Sequence, residues 1–332
     1  MKSNPKISVV MSVYNEPINW LRDSIDSILN QTFSDFEFII IGDSPENDRV
    51  NNLIKKYQES DGRLRFYPNQ KNMGLTKSLN KGLVIAKGNY IARMDADDIS
   101  EPNRLETQFN YLVNHQEVSI VHSYIQVVDE NGTAGEMKEA PLSNKGIVQT
   151  LTYSNCIFHP AVMFRRQLFK EKGLRYNESF KRSQDYELWL NAALKGLKFA
   201  TIPTVLLHYR VSQGQITQRH REAQLKDQDD IRRAFFRKVC GLENIQYPDA
   251  ITRRYVRDFN YKKRDNDNYI TMCKALRFQL YYTLPLSWSK FIAIIPDSLY
   301  MGFNIKQVIT LFLSFVKKDR WKGYNMSYLV TE

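Results

Sequence analysis

Residues 92–100 read ARMDADDIS, which puts three carboxylates within four positions at the end of an apolar run. Asp95, Asp97 and Asp98 repel one another when ionised. A hard divalent cation relieves that repulsion. Mg2+ and Mn2+ prefer oxygen ligands, and Mg2+ is commonly held by one or two carboxylates together with substrate phosphates. An Asp-x-Asp pair at a strand end can reach one metal, or a metal and a ribose. The competing reading is an Asp-rich turn that caps the following helix. Arg93 stands two positions before Asp95, on the same face of a strand. It pairs with a carboxylate or a phosphate, or forms a purely structural salt bridge. A separate acid, Asp185 in SQDYELW, occupies the first turn of a helix that Ser183 is placed to cap. An acid there suits the helix dipole without any chemistry.

These side chains need a frame, and the first hundred residues supply one. ISVVMS (7–12), FEFIII (36–41), LRFY (64–67) and GNYIARM (88–94) are apolar runs of strand length. Between them, apolar residues recur at helical spacing: Ile18, Leu21, Ile25 and Ile28; Val50, Leu53, Ile54 and Tyr57; Leu75, Leu79, Leu83 and Ala86. Strands apolar on both faces, alternating with helices, predict an α/β fold with a mostly parallel sheet covered by helices. Ligands of such sheets bind at the carboxyl ends of the strands. That selects the loops Tyr14–Pro17, Gly42–Asp48 and Asp95–Ser100, all polar or acidic. Asn72 and Gly74 open the third helix and read as its capping turn, with Lys77 one turn in. Asp43 alone reads as an Asx turn. Further on, Leu105, Phe109 and Leu112 form a helical stripe after Pro102, and VSIVHSYIQVV (118–128) is one or two strands closed by the turn DENG. AVMF reads as a strand, and KFATI and VLLHYR as the last two strands. From about His220 the chain becomes charged and helical.

The totals narrow the classes. A chain of 332 residues with 42% hydrophobic residues is long and apolar enough to fold, which excludes wholesale disorder. Cys156, Cys240 and Cys273 are odd in number and widely spaced, with neither a metal spacing nor a disulfide framework, so a reducing compartment is expected. The opening MKSNPKISVV reads as too short and polar for a signal peptide, and no run reaches about 18 uninterrupted apolar residues. The catalytic part is therefore expected in the cytoplasm. The net charge of +11 is uneven. Residues 1–218 hold 26 Lys and Arg against 24 Asp and Glu, whereas residues 219–332 hold 21 against 12. The basic surplus, and any anionic partner it attracts, thus belongs to the C-terminal part and not to the acidic cluster.

Five blocks carry a resemblance. SVVMSVYNEP, FEFIIIGDSPEND, NMGLTKSLNKGLVIAKGNYIARMDADD, PNRLETQ and SQDYELWL stand in an order that resembles glycosyltransferase family 2, the nucleotide-sugar transferases of GT-A fold. The resemblance covers residues 5–212. It implies that Asp97 is the principal ligand of Mn2+ or Mg2+, that Asp95 lies by the metal, ribose and diphosphate, and that Asp98 supports the loop. It places Tyr14, Asn15 and Glu16 around the nucleoside, Asp43 at the base, and Asn72, Gly74 and Lys77 beside the nucleotide. Gly42 stands where the family usually has a first acid, which weakens the reading of Asp43. Asp185 becomes the general base; Gln184 takes the place of the family's other acid. His159, in FHP, falls near the acceptor in relatives, although a hydrogen-bonded structural histidine is the commoner outcome. Trp189 faces the acceptor or fills core. His208 is a weak metal candidate and Arg210 a phosphate contact. The implied reaction inverts the anomeric carbon of a nucleotide sugar and transfers it to a saccharide or lipid-linked acceptor.

The sequence divides into a catalytic domain, 1–218, and a basic helical extension, 219–332. Residues 291–321 are strongly apolar but interrupted by Pro296, Asp297 and Lys306. They suit either an interfacial segment on an anionic membrane face or a buried cap or homo-oligomer surface. No nucleic-acid motif is visible. A sugar-phosphate nucleotidyltransferase would also use carboxylate-held metal on an α/β sheet, and a non-catalytic saccharide-binding scaffold is the third reading.

Overall fold

Ile7–Val13 has no exposed residue, and neither has Phe36–Gly42. Strands buried on both faces must lie inside a covered sheet, and in the computed structural model they do. The structure describes residues 4–152, 154–180, 182–212 and 221–239. β1 (Ile7–Val13) runs parallel to β2 (Phe36–Gly42) on one side and to β4 (Tyr90–Asp95) on the other. β3 (Leu64–Pro68) extends β2, also in parallel. Helices α1 (Ile18–Leu29), α2 (Asp48–Ser60) and α3 (Leu75–Ile85) make the crossovers. The core packs Val9, Met11, Phe38, Ile40 and Met94 of the strands with Leu21, Ile25, Ile28 and Ile54 of the helices.

Beyond β4 the sheet becomes mixed. Its order is β3-β2-β1-β4-β8-β6-β9-β5, with β8 (Met163–Arg165) antiparallel to β4 and to β6 (Ile120–Val128). β9 (Phe199–Arg210) runs parallel to β6 and carries the two-residue β5 (Ile99–Ser100) on its far side. Helices α4 (Arg104–Asn114), α5 (Asn144–Leu151), α6 (Arg166–Glu171) and α7 (Gln184–Leu194) complete this part, followed by α8 (Arg221–Val239). Two details depart from expectation. KFATI and VLLHYR are one strand. The register slips where Ser123 pairs Ile202 and Tyr124 pairs Val205, which leaves Pro203, lacking an N–H, outside the ladder. An unexpected strand, β7 (Ala134–Lys138), returns along β6 after the DENG turn, in which the Asp129 carboxylate accepts from the N–H groups of Asn131 and Thr133.

Register fixes what the loops can do. Val13 pairs Gly42 and Ser12 pairs Asp95, so β1, β2 and β4 end level and their loops leave the sheet on one edge. The opposite edge is structural. There Ser8 donates to buried Glu37 at 2.7 Å, Lys87 N–H to the same carboxylate oxygen at 2.7 Å, and Gly88 N–H to Ser8 Oγ at 2.8 Å. A Cβ on Gly88 would stand 2.4 Å from the Ser8 nitrogen and 2.5 Å from the Ile7 carbon. Main chain cannot yield as a side chain does. Gly88→Ala should therefore cost about 2 kcal/mol or more, read as a drop in Tm of about 5 °C; an unchanged Tm would show that β4 can move off β1 freely.

By their packing the residues divide into Met1–Asp227 and Gln228–Glu332. Everything below concerns the first unit. Among the described residues no helix is long and apolar enough to cross a membrane. The 291–321 segment, with its membrane or oligomer reading, lies outside the described residues, as do Cys240 and Cys273.

Candidate active site

Three loops meet on the level edge of β1, β2 and β4, and side chains tie them together. After β1, the Tyr14 N–H donates to Glu16 Oε2 at 2.8 Å. Asn15 Oδ1 accepts from Asn47 Nδ2 at 2.8 Å and from Ser44 Oγ at 3.2 Å, and Ser44 Oγ also donates to the Tyr14 carbonyl. The first loop is thus tied to the second. The second is tied to the start of α3 by Asp43, which is 3% exposed. Its Oδ1 accepts from Asn69 Nδ2 and Met73 N–H, both at 2.7 Å, and its Oδ2 from Gly74 N–H at 2.8 Å. Gly74 has φ +84°, which favours glycine, and no side chain of its own turn caps α3. The expectation that Asn72 makes the cap is corrected: Asn72 is exposed, and Asp43 satisfies the turn from across the sheet. Lys77 is exposed one turn in. Asp43→Asn would set amide hydrogens against backbone donors, costing about 2 kcal/mol and about 6 °C in Tm. No loss of Tm would mean that the turn is held by other groups.

The acidic triplet is unequal. The Asp95 side chain is 30% exposed and its Oδ1 lies 2.5 Å from Arg93 Nη2. Asp98 is fully buried; its Oδ1 accepts from the Arg210 N–H at 2.9 Å, while its Oδ2 has no hydrogen-bond partner. Burial, then the neighbouring Asp97 and Asp95, hold the Asp98 carboxyl well above the usual range. Glu16 feels the same charges: burial and the nearness of Asp97 and Asp95 push its carboxyl up to about 7. Crowded carboxylates of this kind repel one another when ionised. Among the described residues no group of three His, Cys, Asp or Glu gathers round a metal position. A pair of carboxylates completed by substrate phosphates is nevertheless a donor set that suits Mg2+ or Mn2+. Below the loop, Ser24 Oγ donates to the Asp95 carbonyl at 2.8 Å, and Arg104, fully buried on α4, donates to the Arg93 carbonyl at 2.6 Å.

Arg93 connects this cluster to a second one. Its guanidinium is 2% exposed, and none of its nitrogens has a well-angled hydrogen-bond acceptor, so its link to Asp95 is an ion pair by distance. Its charge also reaches His159, Tyr176 and Asp185. Asp185 opens α7. Its carboxylate accepts from Asn155 Nδ2 at 2.7 Å. Burial raises its pKa, while hydrogen bonding and Arg93 oppose the rise. Ser183 does not cap this helix as expected: it adopts φ 58° and its hydroxyl is without a hydrogen-bond partner. His159 Nε2 lies 2.8 Å from Tyr176 Oη, and burial, then Arg93, push its pKa well below the usual value, which keeps the ring neutral.

Three expectations change. Trp189 is fully buried and packs edge-on to His159 at 6.1 Å, so it fills core and does not present an acceptor face. His208 Nε2 lies 2.5 Å from Glu101 Oε1 in a pocket shared with Asp23 and Asp26, which excludes Asp95 and Asp97; it is not placed as a metal ligand. Arg210 is not a phosphate contact, because its guanidinium is engaged by Asp97, Glu130 and Asp23. Asn155, Tyr176, Ser44, Asn47 and Arg104 join the site without having been foreseen. Nothing in their spacing marks them, since each acts on a partner distant in sequence.

Known proteins resemble this chain in sequence and in fold. The family model described as glycosyl transferase family 2 matches residues 8–173. An uncharacterized glycosyltransferase of Methanocaldococcus jannaschii is 41% identical over 208 residues, which cover 62% of this chain and 71% of that protein. The O-antigen biosynthesis glycosyltransferase WbnJ of Escherichia coli is 36% identical over 208 residues, 62% of this chain and 79% of its own. Among solved structures, S. aureus TarS 1-349 in complex with UDP-GlcNAc superposes with a TM-score of 0.59 at 17% identity, covering 92% of this chain and 83% of that one. At that identity the likeness is one of fold.

Proposed function

This chain belongs to glycosyl transferase family 2 and is a glycosyltransferase, and on that premise we propose that it moves a sugar from a UDP-sugar to a saccharide or lipid-linked saccharide hydroxyl, with inversion and with a divalent cation. The O-antigen name of the E. coli relative supports a place in surface glycan assembly, and the UDP-GlcNAc bound by TarS supports the donor class. The observation that carries the reading is the convergence of Glu16, Asp95 and Asp97 at the level strand ends, with Asp185 within the reach of Arg93 behind them.

In this reading the loops after β1 and β2, with the turn at Asn72–Gly74, cradle the nucleoside, and Tyr14, Asn15, Glu16 and Lys77 line that cradle. Mn2+ or Mg2+ held by Asp97 and Asp95 supplies positive charge for the departing nucleoside diphosphate. Asp185 accepts the acceptor hydroxyl's proton as that oxygen attacks the anomeric carbon. Its burial raises its affinity for the proton, and the hydrogen bond from Asn155 orients the carboxylate. His159, neutral and held by Tyr176, borders the acceptor side. Among the described residues Asp185 is the candidate base on the acceptor side, and no second carboxylate is assigned as nucleophile, which fits a single displacement.

The test is a donor screen that measures released nucleoside diphosphate with and without Mn2+. Metal-dependent release from one UDP-sugar, increased by acceptor, is the expected result. Binding of nucleotides without any release would overturn the enzymatic part of the reading.

A further inference from the structure

Arg210 ends β9 and is 3% exposed, yet nothing about its neighbours in sequence explains its burial. Its donors point in four directions. Its backbone N–H reaches Asp98 Oδ1 at 2.9 Å, and its Nε reaches the Asp97 carbonyl at 2.9 Å. Nη1 reaches the Glu130 carbonyl at 3.1 Å, and Nη2 lies 3.3 Å from Asp23 Oδ2. The guanidinium stands 5.2 Å from the centre of the Trp20 ring, and Trp20 Nε1 donates to the same Glu130 carbonyl at 3.2 Å. One side chain thus binds the Asp95–Asp98 loop to α1 and to the turn between β6 and β7.

We propose that Arg210 is a positioning residue that fixes the Asp97 main chain and thereby sets the cation affinity of the Asp95–Asp97 pair. This rests on the reading of that pair as the metal site. Asp97 has Ser24 holding the carbonyl two residues before it and Arg210 holding its own carbonyl and the next side chain. Its carboxylate therefore projects from a main chain fixed on both sides. A preorganised ligand loses little freedom when a cation arrives, and partners one shell removed from a metal typically change affinity by about 10–100-fold. The planar fork is essential to the argument. A lysine keeps the charge but is a single point and cannot serve Asp97, Glu130 and Asp23 together.

The experiment titrates Mn2+ calorimetrically into the full chain with UDP present, for wild type, Arg210→Lys and Asp23→Asn. Arg210→Lys should raise the half-saturating Mn2+ about tenfold while UDP affinity at saturating Mn2+ recovers to near wild type. Asp23, half exposed on α1, can be changed without emptying the core; Asp23→Asn should shift the midpoint the same way, by a few-fold. An unchanged midpoint in folded Arg210→Lys overturns the proposal. If that variant does not fold, an unchanged midpoint in Asp23→Asn overturns it instead. Wild-type UDP binding that ignores Mn2+ would remove the metal reading itself, and this inference with it.

Discussion

Asp185→Asn should bind UDP and Mn2+ as wild type does and transfer sugar about 10³-fold more slowly. The hydrogen bond that holds Asp185 comes from Asn155, which belongs to none of the three donor-side loops. An asparagine keeps the shape and one acceptor oxygen. It replaces one carboxylate oxygen and removes the charge from the hydrogen bond with the Asn155 amide, at about 1 kcal/mol. That is too little to unfold a domain of this size. The proton, in contrast, has nowhere to go. A loss in kcat with unchanged UDP affinity by calorimetry is the signature of a missing base. Transfer at the wild-type rate would remove Asp185 from the mechanism and return it to its other role, that of a helix-capping acid.

Asp97→Asn should abolish Mn2+-dependent UDP binding and lower transfer at least about 10³-fold, while the metal-free protein keeps a Tm no lower than wild type. The two effects have one origin. Without a cation, Asp97 raises the pKa of both Glu16 and Asp98, so its charge works against the folded state. Its neutral isostere relieves that repulsion and forfeits the ligand. A variant that still binds UDP in response to Mn2+ would move the metal to other residues. A variant that melts well below wild type would mean that Asp97 is chiefly structural.

The parallel half of the fold is legible in the chain because each of its strands is a short apolar run buried on both faces, a pattern that only a covered sheet satisfies. The level ends of β1, β2 and β4, and so the three ligand loops, follow from that. The mixed half is less legible. Pro203 splits the pattern of β9 into two apparent strands although the chain simply skips a ladder position there. β7 is exposed along its whole length and therefore carries no apolar signal. Ser183 has the residue type of a cap, yet its backbone is left-handed and its hydroxyl has no hydrogen-bond partner.

By itself the sequence determined where its candidate groups stand: the carboxylates at the end of β4, the acid at the start of α7 and the polar loops after β1 and β2, because residue type and strand order fix their place. Only the tertiary structure decided how they are held. Asp43 caps a helix 31 residues away, Asn155 orients Asp185 across 30 residues, and Arg210 grips Asp97 across 113. Hydrogen bonds of this length in sequence have no periodicity to betray them. They exist because crossovers bring distant strand ends to one edge, where most buried polar groups find a partner.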